Sequence, residues 1–284
     1  MRWPFLVVPL FPGMLLGACW DFDAVSRGDS RDASADSLGA GPLAKTPFSC
    51  LDDDAGDAGL LSTYQVKVVF YDLAATRSGR TTTSIEGFSY APIAGMVVKT
   101  CFPLDSACSS PVQTLTTDSA GTVAISIQEG QTIYLDAKDP AYLPTLFFPP
   151  SLVRSTDHAL LVGILTPSQF AGAAEAAGVD LSRSVGPDAS LGNIVAYTFD
   201  CRRILAANVA WTIDNPDGST PAYVAGGLIS TTAKLTSTEG TALFYNAGIR
   251  STRVQAVYGD SGVLLQSQHV VVRQGAQTVV FTWP

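Results

Sequence analysis

Short runs of β-branched and aromatic residues alternate with clusters of Gly, Asp, Asn, Ser and Pro through most of this 284-residue chain. That spacing predicts strands joined by turns. Tyr64 to Leu73 is the first firm strand, followed by a polar Thr, Ser and Arg-rich loop from Ala75 to Ala91 that offers surface for a partner. Ile93 to Cys101, Thr122 to Gln128, Thr132 to Ala137 and His158 to Leu165 follow as strands. The turn Thr116 to Gly121 separates the first two, and Asp139 to Pro144 turns the chain toward Thr145-Leu146-Phe147-Phe148.

The strand pattern breaks at Thr166. Thr166 reads as an N-cap and Pro167 as the first helical residue. Phe170, Ala173, Ala174 and Ala177 fall at helical spacing, and Gly178 supplies a left-handed stop. Residues 180–191 form a linker, and Leu191 to Tyr197 opens a second β unit. Ala207 to Ile213, Thr236 to Phe244, Arg253 to Tyr258, Val263 to Val272 and Thr278 to Trp283 continue it. Asp214 to Gly218 has strong turn chemistry, and Asp260-Ser261-Gly262 marks a hairpin. Thr236 to Phe244 repeats the order of Thr117 to Ile125: polar residues, an acid, a glycine turn, then a strand. The repeat length is roughly a hundred residues.

The first residues follow a different rule. Arg2 precedes an apolar run from Trp3 to Leu16, too short to span a bilayer and about as long as the core of a signal peptide. The run ends in Leu16-Gly17-Ala18-Cys19, which resembles the lipobox of bacterial lipoproteins. The resemblance implies cleavage before Cys19, acylation of its sulfur by diacylglyceryl and palmitate chains, and permanent membrane attachment. Trp20 rather than an aspartate follows, which by analogy with Gram-negative sorting directs such a protein to the outer membrane. Pro4, Pro9 and Pro12 depart from the usual helical core. An ordinary secretory signal and a buried N-terminal strand are the other two readings. The expected layout is a signal peptide over 1–18, an acidic tether over 19–62, a first β-sandwich over 63–165, a helix and linker over 166–190 and a second sandwich over 191–284.

Charge refines this layout. The formal charge is −8, and nine aspartates between Trp20 and Ser62 face only Arg27, Arg31 and Lys45. The low hydrophobicity of residues 20–46 predicts a solvated tether, with docking resuming near Phe48. No basic patch interleaved with aromatics occurs, which excludes nucleic acid as a partner. Five cysteines suit export: with Cys19 acylated, Cys50, Cys101, Cys108 and Cys201 remain for disulfides. Cys101 and Cys108 enclose a short loop whose closure contributes about 2.5 kcal/mol. Elimination then pairs Cys50 with Cys201, one of three possible connectivities.

Ala94 through Cys101 and Cys108, followed by Thr117-Asp118-Ser119-Ala120-Gly121-Thr122-Val123, resembles the carboxypeptidase regulatory-like domain. The order of features is also similar to cell-surface lipoproteins of myxobacterial type. The second unit, with the small residues before Val209 and the step Tyr245-Asn246-Ala247-Gly248, resembles that domain more closely. The resemblance implies an all-β fold of two tandem antiparallel Ig-like or transthyretin-like β-sandwiches with a short connecting helix. It brings no catalytic residue with it.

The only histidines are His158, beside Asp157 at a strand start, and His269, in Gln266 to Val272. No nucleophile elbow, zinc pair or phosphate loop occurs. The run Asp52-Asp53-Asp54-Ala55-Gly56-Asp57 lacks the alternating spacing of a calcium loop and reads as a solvated turn. Asp118 and Glu239 are expected to cap turn amides. Lys67 has no asparagine on the closing strand of its unit, and Asn246 has no lysine on its opening strand, which argues against an isopeptide cross-link. The expectation is therefore a protein with no catalytic residues, cofactor or metal. It would be held at the cell envelope through Cys19, binding or scaffolding polysaccharide, peptidoglycan or protein. The alternatives are an accessory subunit of a secretion, adhesion or transport complex, and a hydrolase with an unrecognised site.

Overall fold

The computed structural model describes residues 46–49, 63–81, 83–85, 88–128, 131–149, 159–202, 204–214, 216, 218–259 and 261–282. The leader ahead of residue 46, Cys50, the run Asp52 to Asp57, and Asp157 with His158 lie outside the described residues. The first unit contains β1 (Thr63–Asp72), α1 (Leu73–Arg77), β2 (Thr83–Ile85), β3 (Phe88–Tyr90), β4 (Val97–Cys101), β5 (Gln113–Thr116), β6 (Thr122–Gln128), β7 (Tyr134–Lys138), β8 (Thr145–Phe148) and β9 (Ala159–Ile164). After α2 (Pro167–Ala176) come β10 (Gly192–Thr198), β11 (Val209–Ile213), β12 (Thr220–Ala225), β13 (Leu228–Ser230), β14 (Thr241–Ala247), β15 (Ser251–Tyr258), β16 (Val263–Val271) and β17 (Gln277–Thr282).

The fold is an all-β sandwich architecture in which one topology is used twice. In the first unit β1 pairs antiparallel with β6 and parallel with β9. In the second, β10 pairs antiparallel with β14 and parallel with β17. The opposing layers correspond as well, with β4, β7 and β8 matched by β11, β15 and β16. The two units meet edge to edge. β17 pairs in parallel with β8 from Gln277 opposite Thr145 to Val280 opposite Phe148, and Gln277 N donates to Pro144 O at 2.9 Å. The result is one nine-stranded sheet in the order β13-β12-β14-β10-β17-β8-β7-β4-β5.

Both faces of this central sheet are covered, so its inner strands are apolar at consecutive positions instead of alternating. Leu146 and Phe148 of β8 enter the core beneath the β11-β15-β16 layer, while Phe147 between them enters the core beneath β6-β1-β9. β17 divides its residues in the same way, Val280 to one core and Val279 and Phe281 to the other. Each unit thus completes the core of its neighbour. Phe281 holds the seam, its ring 5.1 Å from Phe147 and 5.4 Å from both Tyr197 and Phe199. Burying side chains of this size contributes about 1.5–3 kcal/mol each.

Helix α2 covers the rest of one face, burying Phe170 and Ala174 against Val195, Leu243 and Tyr245. Its start follows the sequence expectation: Thr166 Oγ1 accepts from Gln169 N, Gln169 Oε1 accepts from Thr166 N, and Pro167 occupies the first turn. Gly178 adopts φ +74° just beyond its end.

The structure corrects the sequence reading at the polar segments. The stretch expected as a loop from Ala75 to Ala91 contains the end of α1 and the β2–β3 hairpin, because Asp72 Oδ1 accepts from Ala75 N at 2.7 Å and starts a helical turn. β4 begins at Val97 rather than Ile93, since Gly95 turns the chain with φ +80°. β5 and β13 are the edge strands of the central sheet, and β12 beside β13 buries only Ala222 and Tyr223, so all three lack an apolar signature.

Two tyrosines report on packing. Tyr142 OH donates to Asp72 Oδ2 at 3.2 Å, and burial together with that carboxylate pushes its ionisation up to about 12. Burial under α2 pushes Tyr245 higher still. The folded state favours the neutral phenol, so this contribution is complete below the ordinary value of 10.0 and is lost as pH rises through about 12. Ultraviolet titration of phenolate should show a late step, coincident with loss of tertiary structure and reduced in Tyr142→Phe. Ionisation of every tyrosine in one step near pH 10 would contradict it.

Candidate functional site

The densest polar cluster lies where the two units meet. Asp136 sits in the middle of β7 and is 2% exposed, which requires a partner for its charge. Arg273, in the turn between β16 and β17 of the second unit, supplies it. Arg273 Nη1 donates to Asp136 Oδ2 at 2.7 Å, Nη2 donates to Tyr134 OH, and Nε donates to the Ser106 carbonyl. Lys138 Nζ lies 3.2 Å from the same Oδ2, while Oδ1 is buried with no protein partner. The guanidinium also lies 5.4 Å from the Tyr134 ring centroid, and that ring stacks on Phe148. One arginine of the second unit therefore engages a strand and a loop of the first.

That loop is the disulfide loop. Cys101 and Cys108 are bonded, with Cα atoms 5.5 Å apart, as the sequence predicted. Tyr134 OH donates to Asp105 O at 2.6 Å. The Asp105 carboxylate accepts from Ser110 N (2.8 Å), Ser109 N (3.0 Å) and Ser109 Oγ (2.9 Å). These bonds hold its ionisation below the usual carboxylate range. The loop is fixed from within and from both units, yet Leu104 at its tip is fully exposed.

Cys201 is also disulfide-bonded. Beside it, Cys201 N donates to Pro47 O at 3.0 Å. Phe48 is 1% exposed and packs on Tyr258 with ring centroids 5.3 Å apart. The end of the leader therefore docks on the second unit, although it precedes the first in sequence.

The remaining expected sites do not converge. His269 is exposed on β16, and Lys67 is exposed on β1. Asp118 Oδ1 accepts from Ala120 N and Thr122 N, both at 2.9 Å, as a turn cap. In the second unit the equivalent role falls to Ser237, whose Oγ accepts from Glu239 N. Glu239 instead caps a neighbouring turn by accepting from Gly227 N at 2.9 Å. An open cleft of about 480 Å³ beside the end of α2 contains Glu175, Asp180 and Ser182 among small and aliphatic residues. The Asp180 carboxylate there is taken up by Ser182 N and Oγ. Among the described residues no three His, Cys, Asp or Glu side chains come together as a metal site, and no helix is long and apolar enough to cross a membrane.

No protein-family model matches the chain, and no curated protein matches it either. Among solved structures, the Bacillus anthracis TIE protein is similar at 10% identity and a TM-score of 0.24, covering 77% of this chain. This chain spans only 33% of that protein. The shaft pilin spaA from Lactobacillus rhamnosus GG aligns at 11% identity and a TM-score of 0.27, over 78% of this chain and 99% of the pilin. A minor pilin of Streptococcus agalactiae aligns at 14% identity and 0.22, over 78% and 97%. Scores this low do not establish a common fold, and the architecture rests on the strand pairing itself.

Proposed function

We propose that this chain is an exported, lipid-anchored cell-envelope protein that acts by position and contact rather than by catalysis. Cys19 carries the acyl anchor at the outer membrane, and the β-sandwich body binds or scaffolds an envelope polysaccharide, peptidoglycan or another protein. The observation that carries export is that Cys101, Cys108 and Cys201 are all disulfide-bonded, the state expected in an oxidising compartment. The seam between β17 and β8 supports a scaffolding role, since shared cores resist bending between the units. The docking of Phe48 beside Cys201 supports a Cys50–Cys201 bridge that ties the leader to the body.

Cys19→Ser should abolish metabolic labelling by palmitate and release the protein from membranes. Membrane retention of that variant, or continued labelling, would sink the anchor reading. Crosslinking of intact envelopes followed by mass spectrometry should identify one recurrent partner. Coprecipitation with a defined transport or secretion complex would instead favour an assembly subunit.

A further inference from the structure

The base of the disulfide loop lies in the core of the second unit. Cys101 closes β4, and Cys101 and Cys108 (0% and 2% exposed) are buried in one apolar cluster with Trp211, Val254 and Val270 of the second unit. Inside the loop, the Asp105 carbonyl accepts from Cys108 N at 2.9 Å and from Tyr134 OH at 2.6 Å. The Ser106 carbonyl accepts from Arg273 Nε. Arg273 stands just ahead of Gln277, whose N–H donates to Pro144 O where β17 begins its pairing with β8. Cys108 has φ +51°, in the left-handed region that a side chain disfavours. Covalent closure onto Cys101 removes most of the loop's other conformations. The bond therefore holds both carbonyls where the second unit meets them.

We infer that oxidation of Cys101 and Cys108 sets the clamp between the two units. The bond fixes the Asp105 and Ser106 carbonyls, and these fix Tyr134 and Arg273 ahead of β17. The step is thiol–disulfide exchange with a disulfide-bearing oxidant. One cysteine thiolate attacks a sulfur of the oxidant and forms a mixed disulfide. The second thiolate displaces the oxidant, which leaves with both thiols reduced, having taken up two electrons and the two protons. At 0% and 2% exposure the finished bond lies out of reach of a thiol in solution. The clamp is thus set once, as the chain folds, and holds afterwards. A chain with open thiols keeps the β8–β17 pairing and both cores, but Arg273 then faces a loop with no fixed acceptor. The inference depends on the export reading only for where the oxidant is met.

The test is a double-mutant cycle on the full chain, read by urea unfolding and by hydrogen exchange. Cys101→Ala with Cys108→Ala should uncouple Arg273 from the loop. Arg273→Ala should then change the unfolding constant by a factor at least about fivefold smaller than with the bond intact. In the bond-free chain the Gln277 amide should gain at least about tenfold in exchange rate over the Val254 amide, which lies inside the β11-β15-β16 ladder. Equal effects of Arg273→Ala with and without the bond, or an even rise in exchange at both amides, overturns the inference. If the alanine pair does not fold, Asp105→Ala takes its place. It removes the carboxylate to which Ser109 N and Ser110 N donate, loosening the loop with both sulfurs untouched. The Arg273→Ala effect should shrink in that background too, and an unchanged effect overturns the inference. Recovery of Cys101 and Cys108 as free thiols from intact envelopes would overturn the export reading alone, because the cycle is measured on the oxidised chain.

Discussion

Arg273→Ala should destabilise the chain by about 3–5 kcal/mol, read as a fall in the urea midpoint at constant slope. The substitution leaves Asp136, 2% exposed, with only Lys138 as a counter-charge, and that side chain is 56% exposed. It also removes the donors to Tyr134 OH and the Ser106 carbonyl. Arg273→Lys should recover only part of the loss, because one ammonium cannot reach three acceptors arranged for a planar fork. The informative control is Arg273→Met with Asp136→Leu. Removing both charges together avoids stranding one in the core, so this variant should approach wild-type stability. A loss below about 1 kcal/mol in Arg273→Ala would place the pair with surface bridges, contrary to its burial.

The same residues show what was legible in the sequence. Strand positions followed from side-chain chemistry wherever one face was apolar, as in β1, β6, β11 and β15. The helix was legible from Thr166, Pro167 and Gly178, and the Cys101–Cys108 bond from a spacing too short for other pairings to compete. The seam was not legible, because local pattern shows that a strand exists and not which edge it joins. One signal was available. Leu135 faces Phe147 across β7 and β8, while Val254 faces Gln268 at the matching place across β15 and β16. The first unit's edge thus reads Leu146-Phe147-Phe148, an apolar run that only burial on both faces explains. The second unit's edge reads Ser267-Gln268-His269, suited to water and resistant to further pairing. Asp136 gave a second signal, a lone carboxylate inside an apolar strand, but nothing nearby in sequence named Arg273. The docking of Phe48 on the second unit depends on a contact across the whole first unit and left no local trace.

Gly240→Ala and Gly121→Ala should each reduce stability by about 3–4 kcal/mol, and by similar amounts, because the two glycines occupy one structural position. Thr117 Oγ1 donates to Ile93 O (2.7 Å) and accepts from Met96 N (2.9 Å); Thr236 Oγ1 donates to Ala206 O (2.9 Å) and accepts from Val209 N (3.0 Å). Four residues on, Gly121 O accepts from Phe70 N and Gly240 O accepts from Thr198 N, both at 2.8 Å. Both glycines have positive φ, +71° and +54°. A Cβ at Gly240 would lie 2.7 Å from Thr198 O, and one at Gly121 would overlap Phe70 O. Both obstacles are backbone atoms of the strand at the centre of each unit's pairing, so neither can yield without breaking the ladder. Gly262→Ala separates the two sources of the loss. Its φ is +68°, but nothing lies within 4 Å of its Cβ direction, so it should lose only about 1 kcal/mol, the backbone strain alone. If all three variants unfold at the same denaturant concentration, strain accounts for the whole effect, and the close approach of the turn to β1 and β10 is not what the glycine provides.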